Sequence, residues 1–354
     1  MRPMFNRSGK GNYAYTVTRV KAKKSLLLKS EDYDKMLQMS VPEISRYISE
    51  AGYQKEMADL AGNLQGIDLV EYATYSNMAR VFSSILGASQ GELYTMVSAY
   101  LEKWDIWNLK VILRGKSYGL GAEEIKEDLV PAGILKSEDL DKLIAIENPE
   151  DIFAAYSKAV HVTILSSEIM SEYKATGNLG VVEDYLDKTH YVRLLKSISP
   201  TSRPTKMFQD YVRGEIDIRN LETILKLNVE GIHGEAAMKY FIEGGREIDE
   251  RLATQLSNEE SISGIASDIS SLRIYDSIKE LMEDPSPSVR DVCLQMKKYE
   301  IASAKKFAHM YPLSVVPILD FMIHKELEVG NIRTVARGIE SGLDTETIKG
   351  LLVI

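Results

Sequence analysis

The chain repeats itself, and the repeat constrains its fold more than any other feature. Three stretches align without a gap over 22 positions: Asp105–Lys126 (DIWNLKVILRGKSYGLGAEEIK), Asp217–Met238 (DIRNLETILKLNVEGIHGEAAM) and Glu328–Lys349 (EVGNIRTVARGIESGLDTETIK). Their starts lie 112 and 111 residues apart. Asn108, Asn220 and Asn331 coincide, as do Gly119, Gly231 and Gly342, and Glu123, Glu235 and Glu346. Arg114, Lys226 and Arg337 are similar, as are Leu109, Leu221 and Ile332. The first two copies share eight of 22 residues, where unrelated chains of ordinary composition would share roughly one. A second block precedes the first within each unit. Leu28–Glu43 (LKSEDYDKMLQMSVPE) and Leu135–Glu150 (LKSEDLDKLIAIENPE) agree at nine of 16 positions, and a weaker copy lies at Asp249–Glu260 (DERLATQLSNEE). The blocks keep their order. One unit of roughly 110 residues therefore recurs three times, dividing the chain at about 1–131, 132–243 and 244–354.

The patterning inside the unit is helical, so the expected fold class is all-α. Ile332, Val335, Ala336 and Ile339 fall at i, i+3, i+4 and i+7, and Leu109, Ile112 and Leu113 do the same. Alternating runs of strand length are hard to find. The nine shared residues read as helix punctuation. The glycines end periodic stretches, where the residue past a helix takes a left-handed conformation. The glutamates four residues on sit in a first turn, where the helix dipole favours an acid. Ser40 with Glu43, and Ser257 with Glu260, have capping-box spacing. The Asp-x-x-Asn at 105–108 and 217–220 predicts a break or cap inside a long helical run.

Composition narrows the class further. With 44% hydrophobic and 27% charged residues, the chain can bury an ordinary globular core. Cys293 is the single cysteine, so no internal disulfide forms. The first thirty residues lack the apolar core of a signal peptide. The most apolar segment, Phe307–Ile323, is short for a membrane span and holds Pro312, Pro317 and Asp320. A soluble or peripheral protein is expected. The net charge of −9 is uneven: residues 1–30 carry Arg2, Arg7, Lys10, Arg19, Lys21, Lys23, Lys24 and Lys29 with no acid, leaving the rest at −17. Such a basic end suits anionic lipid headgroups or an acidic partner, or is simply solvated. The acidic body disfavours nucleic acid.

Nothing in the sequence reads as an active site. His161, His190, His233, His309 and His324 are dispersed, without zinc-ligand spacing. Cys293 sits in an apolar VCLQM setting that suits an inert thiol. Gly244-Gly245 reads as a connection between helices at a unit boundary. The pair Trp104 and Trp107 occurs in the first copy alone, as core packing or as a contact hot spot. No catalytic residue, cofactor or metal is expected. Three like units with no chemistry suit a pseudo-threefold body that grips something along its axis.

These residues carry a resemblance. Tyr13–Leu28 (YAYTVTRVKAKKSLLL), Asp105–Lys116 (DIWNLKVILRGK) and Leu129–Leu135 (LVPAGIL) resemble the first helix, the acid–x–x–Asn motif and the unit boundary of one known family. It is the family of the C subunit of the archaeal A-type ATP synthase, equivalent to the d subunit of the V-type ATPase. The resemblance covers essentially the whole chain. It implies a funnel-shaped, three-part helical rotor component of a proton-transporting ATP synthase or ATPase, peripheral on the cytoplasmic face of the cell membrane. Such a component links the central-shaft subunits D and F to the membrane proteolipid ring for ion-gradient-driven ATP synthesis, with no catalysis or cofactor of its own. The family supplies no catalytic residues to carry over. Residues Met1–Asn12 extend beyond the pattern and are expected to be mobile. The alternative is a generic helical-repeat scaffold binding an unrelated partner, against which the long period argues. A third reading is an enzyme whose site forms between units.

Overall fold

A computed structural model describes residues 9–160 and 164–354. Arg2, Arg7 and His161, named above, lie outside them. The described chain is all-helical, with no strand. The first repeat contributes α1 (Tyr13–Lys24), α2 (Ser30–Met36), α3 (Val41–Ile48), a wide π turn (Ser49–Tyr53), α4 (Gln54–Leu60), α5 (Gly66–Ala88), α6 (Gly91–Ser117) and α7 (Ala122–Glu127). The second contributes α8 (Ser137–Ile144), α9 (Pro149–Val160), α10 (Ser167–Thr176), α11 (Leu179–Ser197), α12 (Arg203–Val229) and α13 (Gly234–Met238). The third contributes α14 (Glu250–Asn258), α15 (Ile262–Asp268), α16 (Tyr275–Met282), α17 (Val289–Met310), α18 (Val316–Glu340) and α19 (Thr345–Leu351).

The chain divides into two compact units, residues 1–183 with 318–354, and residues 184–317. These borders fall inside repeats because the long helix of one repeat packs on the opening block of the next. In the smaller unit, Leu221, Ile224 and Leu225 of α12 join Ala253, Leu256, Ile265 and Met296 in one buried core. In the larger unit, α6 packs on α8 and α9, burying its own Leu109, Ile112 and Leu113. The same unit holds α18, whose Ile332, Val335 and Ala336 join Tyr33, Met36, Ile44 and Ile48 of the first repeat. The apolar stripe thus sits at one register in all three long helices. Each such stripe of three aliphatic side chains contributes on the order of 5 kcal/mol of burial free energy.

Several local expectations are corrected. The Asp-x-x-Asn segments neither break nor cap their helices, since α6 and α12 run straight through them. Ser257 is not an N-cap; it lies buried in α14 and donates to the Thr254 carbonyl, and Ser261 caps the next helix instead. Ser40 and Glu43 do form a capping box. The part of the N-terminal extension within the described residues is held in place. Gly9 O accepts from Glu92 N at 3.0 Å, and Asn12 bonds Ala88 O and Gln90 N at 2.8 and 2.9 Å. Trp107 is 44% exposed, which removes half of the pair from core packing. No helix is long and apolar enough to cross a membrane among the described residues.

Candidate functional site

The nine shared residues build the same joint three times. Each long helix ends in a Schellman turn. Gly119, Gly231 and Gly342 adopt φ of 72°, 71° and 70°. Their amides bond the carbonyl three residues back, and the following amides bond Gly115 O, Leu227 O and Gly338 O. Glu123, Glu235 and Glu346 then stand in the first turns of α7, α13 and α19. Within this hairpin, volume is exchanged between facing positions. A Cβ on Gly115 would lie 2.4 Å from Ile125 Cγ1, and one on Gly338 2.6 Å from Ile348 Cγ1. The second copy places Leu227 and Ala237 at those registers, both buried.

The asparagines clamp the chain that follows. Asn108 Nδ2 donates to Val130 O at 2.7 Å and its Oδ1 accepts from Val130 N at 2.8 Å. Asn220 treats Ile242 in the same way, both at 2.9 Å. Asn331 treats Val353 likewise, at 2.9 and 3.1 Å. Each clamp spans 22 residues and satisfies two backbone groups that no helix or strand would pair; those at Val130 and Ile242 are buried.

One residue set was hidden in the alignment: its first column, Asp105, Asp217 and Glu328. Each acid points at the amide just before the N-cap of the next repeat's opening helix. Asp105 accepts from Ile134 N and Leu135 N at 2.8 and 2.9 Å. Asp217 accepts from Arg246 N, Glu247 N and Ile248 N at 2.9 to 3.1 Å. Glu328 accepts from Leu28 N at 2.6 Å, back in the first repeat. Burial lifts the Asp105 carboxyl to about 7 despite its two backbone donors, and raises Asp217 as well. Close approach needs glycine: a Cβ on Gly133 would sit 2.1 Å from Asp105 Oδ1, and one on Gly245 2.3 Å from Asp217 Oδ1. Gly245 is therefore a cradle as well as a connection. The signal that could have found these acids is their constant place three residues before each asparagine.

Glu328 has a different surround. Its Oε1 accepts from Tyr53 OH at 2.5 Å and Lys325 Nζ at 2.6 Å. Lys325 Nζ lies 4.2 Å from the Tyr53 ring centre. Lys325 and Glu328 are both buried, so burial first, opposed by Glu328, lowers the lysine. Nearby on α18, hydrogen bonds from His324 and Lys24 hold Asp320 below the usual carboxylate range, against the opposing push of burial.

Asp105 and Asp217 accept from backbone amides, and Glu328 accepts from an amide, a phenol and an ammonium group, so each acid ties one segment to another. Among the described residues no group of three or more His, Cys, Asp or Glu could hold a metal ion. Cys293 is half-buried, and burial pushes its thiol up. Residues 16–351 match the ATP synthase (C/AC39) subunit family. The chain belongs to that family. Its relatives include the C subunit of the A-type ATP synthase of Methanococcoides burtonii, 36% identical over 97% of this chain and 94% of the relative. The same subunit of Methanosarcina acetivorans is 35% identical over 98% and 94%, and that of Archaeoglobus fulgidus 34% identical over 99% of both. As a member of the ATP synthase (C/AC39) subunit family, the chain is a subunit of a membrane-associated ATP synthase.

In the smaller unit a cavity of about 700 Å³ lies between α12 and α17, lined by Tyr211, Gly214, Ile218, Arg246 and Phe307 among others. Arg246 extends across it, 3.5 Å from where a Gly214 Cβ would be. In α18, Lys325 occupies the register that Gly214 holds in α12.

Proposed function

We propose that this chain is the non-catalytic rotor part that joins the central shaft to the membrane proteolipid ring. In this reading the units 1–131, 132–243 and 244–354 surround an axis as a pseudo-threefold funnel on the cytoplasmic face of the membrane. The funnel receives the end of a shaft built from subunits D and F, and its base rests on the ring. Torque then passes through the chain during ion-gradient-driven ATP synthesis.

The single observation that carries the reading is the order of the joints. The first repeat's acid holds the second repeat's opening amide, the second holds the third, and Glu328 of the third holds Leu28 of the first. A linear solenoid leaves its end repeats apart. Here the last repeat holds the first, and a part that grips an axle needs such a contact. Close packing gives the stiffness that torque requires.

An affinity-tagged chain recovered from solubilised membranes tests the proposal. Co-recovery of the proteolipid and the shaft subunits is the expected result. Recovery of the chain with neither would overturn it.

A further inference from the structure

The outward face of α1 is neither packed nor neutral. Thr16, Val17 and Val20 turn inward, which leaves Tyr15 55% exposed and Leu26, just past the helix, 75% exposed. The surrounding residues 9–30 hold six cations and no carboxylate. The fold brings further cations to the same place. Lys136, before α8, donates from Nζ to Ser83 Oγ of α5 at 3.0 Å. Arg19 donates from Nη2 to the adjacent Ser84 Oγ at 3.4 Å and lies 5.6 Å from the Tyr15 ring centre. Lys23 lies at the edge of the group, where burial first, then Arg80 and Arg19, hold its ammonium below the ordinary lysine range. Arg80 and Lys24 are paired with Glu56 and Asp320. Arg19, Lys23 and Lys136 form no ion pair among the described residues. On a chain of net charge −9, three such cations around two hydroxyls and two exposed apolar side chains make a local exception.

We infer that this face docks on an anionic phospholipid surface, with Arg19, Lys23 and Lys136 on headgroup phosphates and Leu26 and Tyr15 entering the headgroup layer. Charge complementarity selects an anion. The exposed leucine and tyrosine select a bilayer over an acidic protein segment, because such a segment gives Leu26 nothing apolar to enter. Basic residues near an anionic leaflet each add about a fivefold gain in partition, and an apolar side chain at the interface adds to it. The inference stands apart from the rotor role, and its test needs no partner subunit.

The test is co-sedimentation of the full-length chain with vesicles of phosphatidylcholine alone and of phosphatidylcholine mixed with phosphatidylglycerol. Binding is expected to the mixed vesicles, to weaken as salt rises, and to fall on the order of a hundredfold when Arg19→Gln, Lys23→Gln and Lys136→Gln are combined. Leu26→Ser is expected to weaken binding several-fold with its salt dependence unchanged. A control combining Lys279→Gln, Arg290→Gln and Lys305→Gln removes equal charge elsewhere and is expected to bind as the parent does, with all variants melting alike. Equal binding to both vesicles overturns the inference, as does equal loss in the control. Release from the vesicles by inorganic phosphate alone identifies a free-phosphate site and also overturns it. Capture by polyglutamate, together with unchanged vesicle binding by Leu26→Ser, identifies an acidic partner and overturns it too.

Discussion

The joint from the first repeat to the second and the joint from the third back to the first use one register but different chemistry. Asp105 reaches an amide 30 residues away along the chain, whereas Glu328 reaches one 300 residues away. Closing the longer loop costs about 2 kcal/mol more in chain entropy. The short joint consists of an aspartate seated over Gly133. The long joint has a longer acid, no glycine cradle (Leu26 occupies that register) and a buried lysine and tyrosine on the same carboxylate. It is reinforced by Arg337 on Glu71, by Arg333 over the Tyr75 ring at 4.3 Å and by Lys349 on Asp34 at 2.9 Å. A joint whose two sides are neighbours in sequence needs an acceptor for orphan amides. One that must bring together the chain's two ends also needs its own adhesive.

The largest effect is expected from Glu328→Ala, which leaves Lys325 buried without its carboxylate. A loss of about 4 kcal/mol in denaturant unfolding is predicted, and Glu328→Gln combined with Lys325→Met should recover much of it. Loss of less than ~1 kcal/mol from Glu328→Ala would mean the closing joint does not stabilise the fold. Gly133→Ala should follow at about 3 kcal/mol, because the new methyl displaces the Asp105 carboxylate from its amides. The same substitution at an exposed glycine such as Gly62 should be far milder. Asn108→Ala should cost about 2 kcal/mol and Asn331→Ala about half that, since the Asn331 bonds to Val353 are only partly buried. Equal losses would contradict that ranking.

The pH dependence separates the joints as well. In the native chain Asp105 binds a proton up to about 7, against an ordinary value of 3.8. Between those values the native state holds more protons than the unfolded chain, so stability falls as pH rises through that window, by at most about 1.4 kcal/mol per pH unit. Asp105→Asn should flatten the slope, and an unchanged slope would refute this assignment. Smallest of all, cutting the exposed pair of Arg114 and Glu183 should cost under ~1 kcal/mol. Arg114 stands at the register of Arg337, two repeats earlier, and Glu183 one repeat beyond Glu71.

Much of this was legible in the sequence. The repeat, the helical class, the Schellman glycines and the first-turn glutamates are local features, and local features print themselves in spacing. The work of the asparagines was not legible, because a side chain that clamps a backbone 22 residues on looks like any polar residue on a helix. The closing joint was harder still. Its acid changes from aspartate to glutamate, and its partner amide at Leu28 has no side-chain signature. Gly133 and Gly245 were visible as glycines in connections, but the carboxylate each one admits comes from a distant helix.

The central claim is that the third repeat closes on the first. Its most direct measurement is bis-maleimide crosslinking of Asp34→Cys with Lys349→Cys in a Cys293→Ser background, at high dilution. The two positions form an ion pair in the native chain although 315 residues separate them. The closed arrangement predicts an intramolecular crosslink that joins the N- and C-terminal fragments after proteolysis. A chain that crosslinks only between molecules, or not at all while still folded, would contradict it.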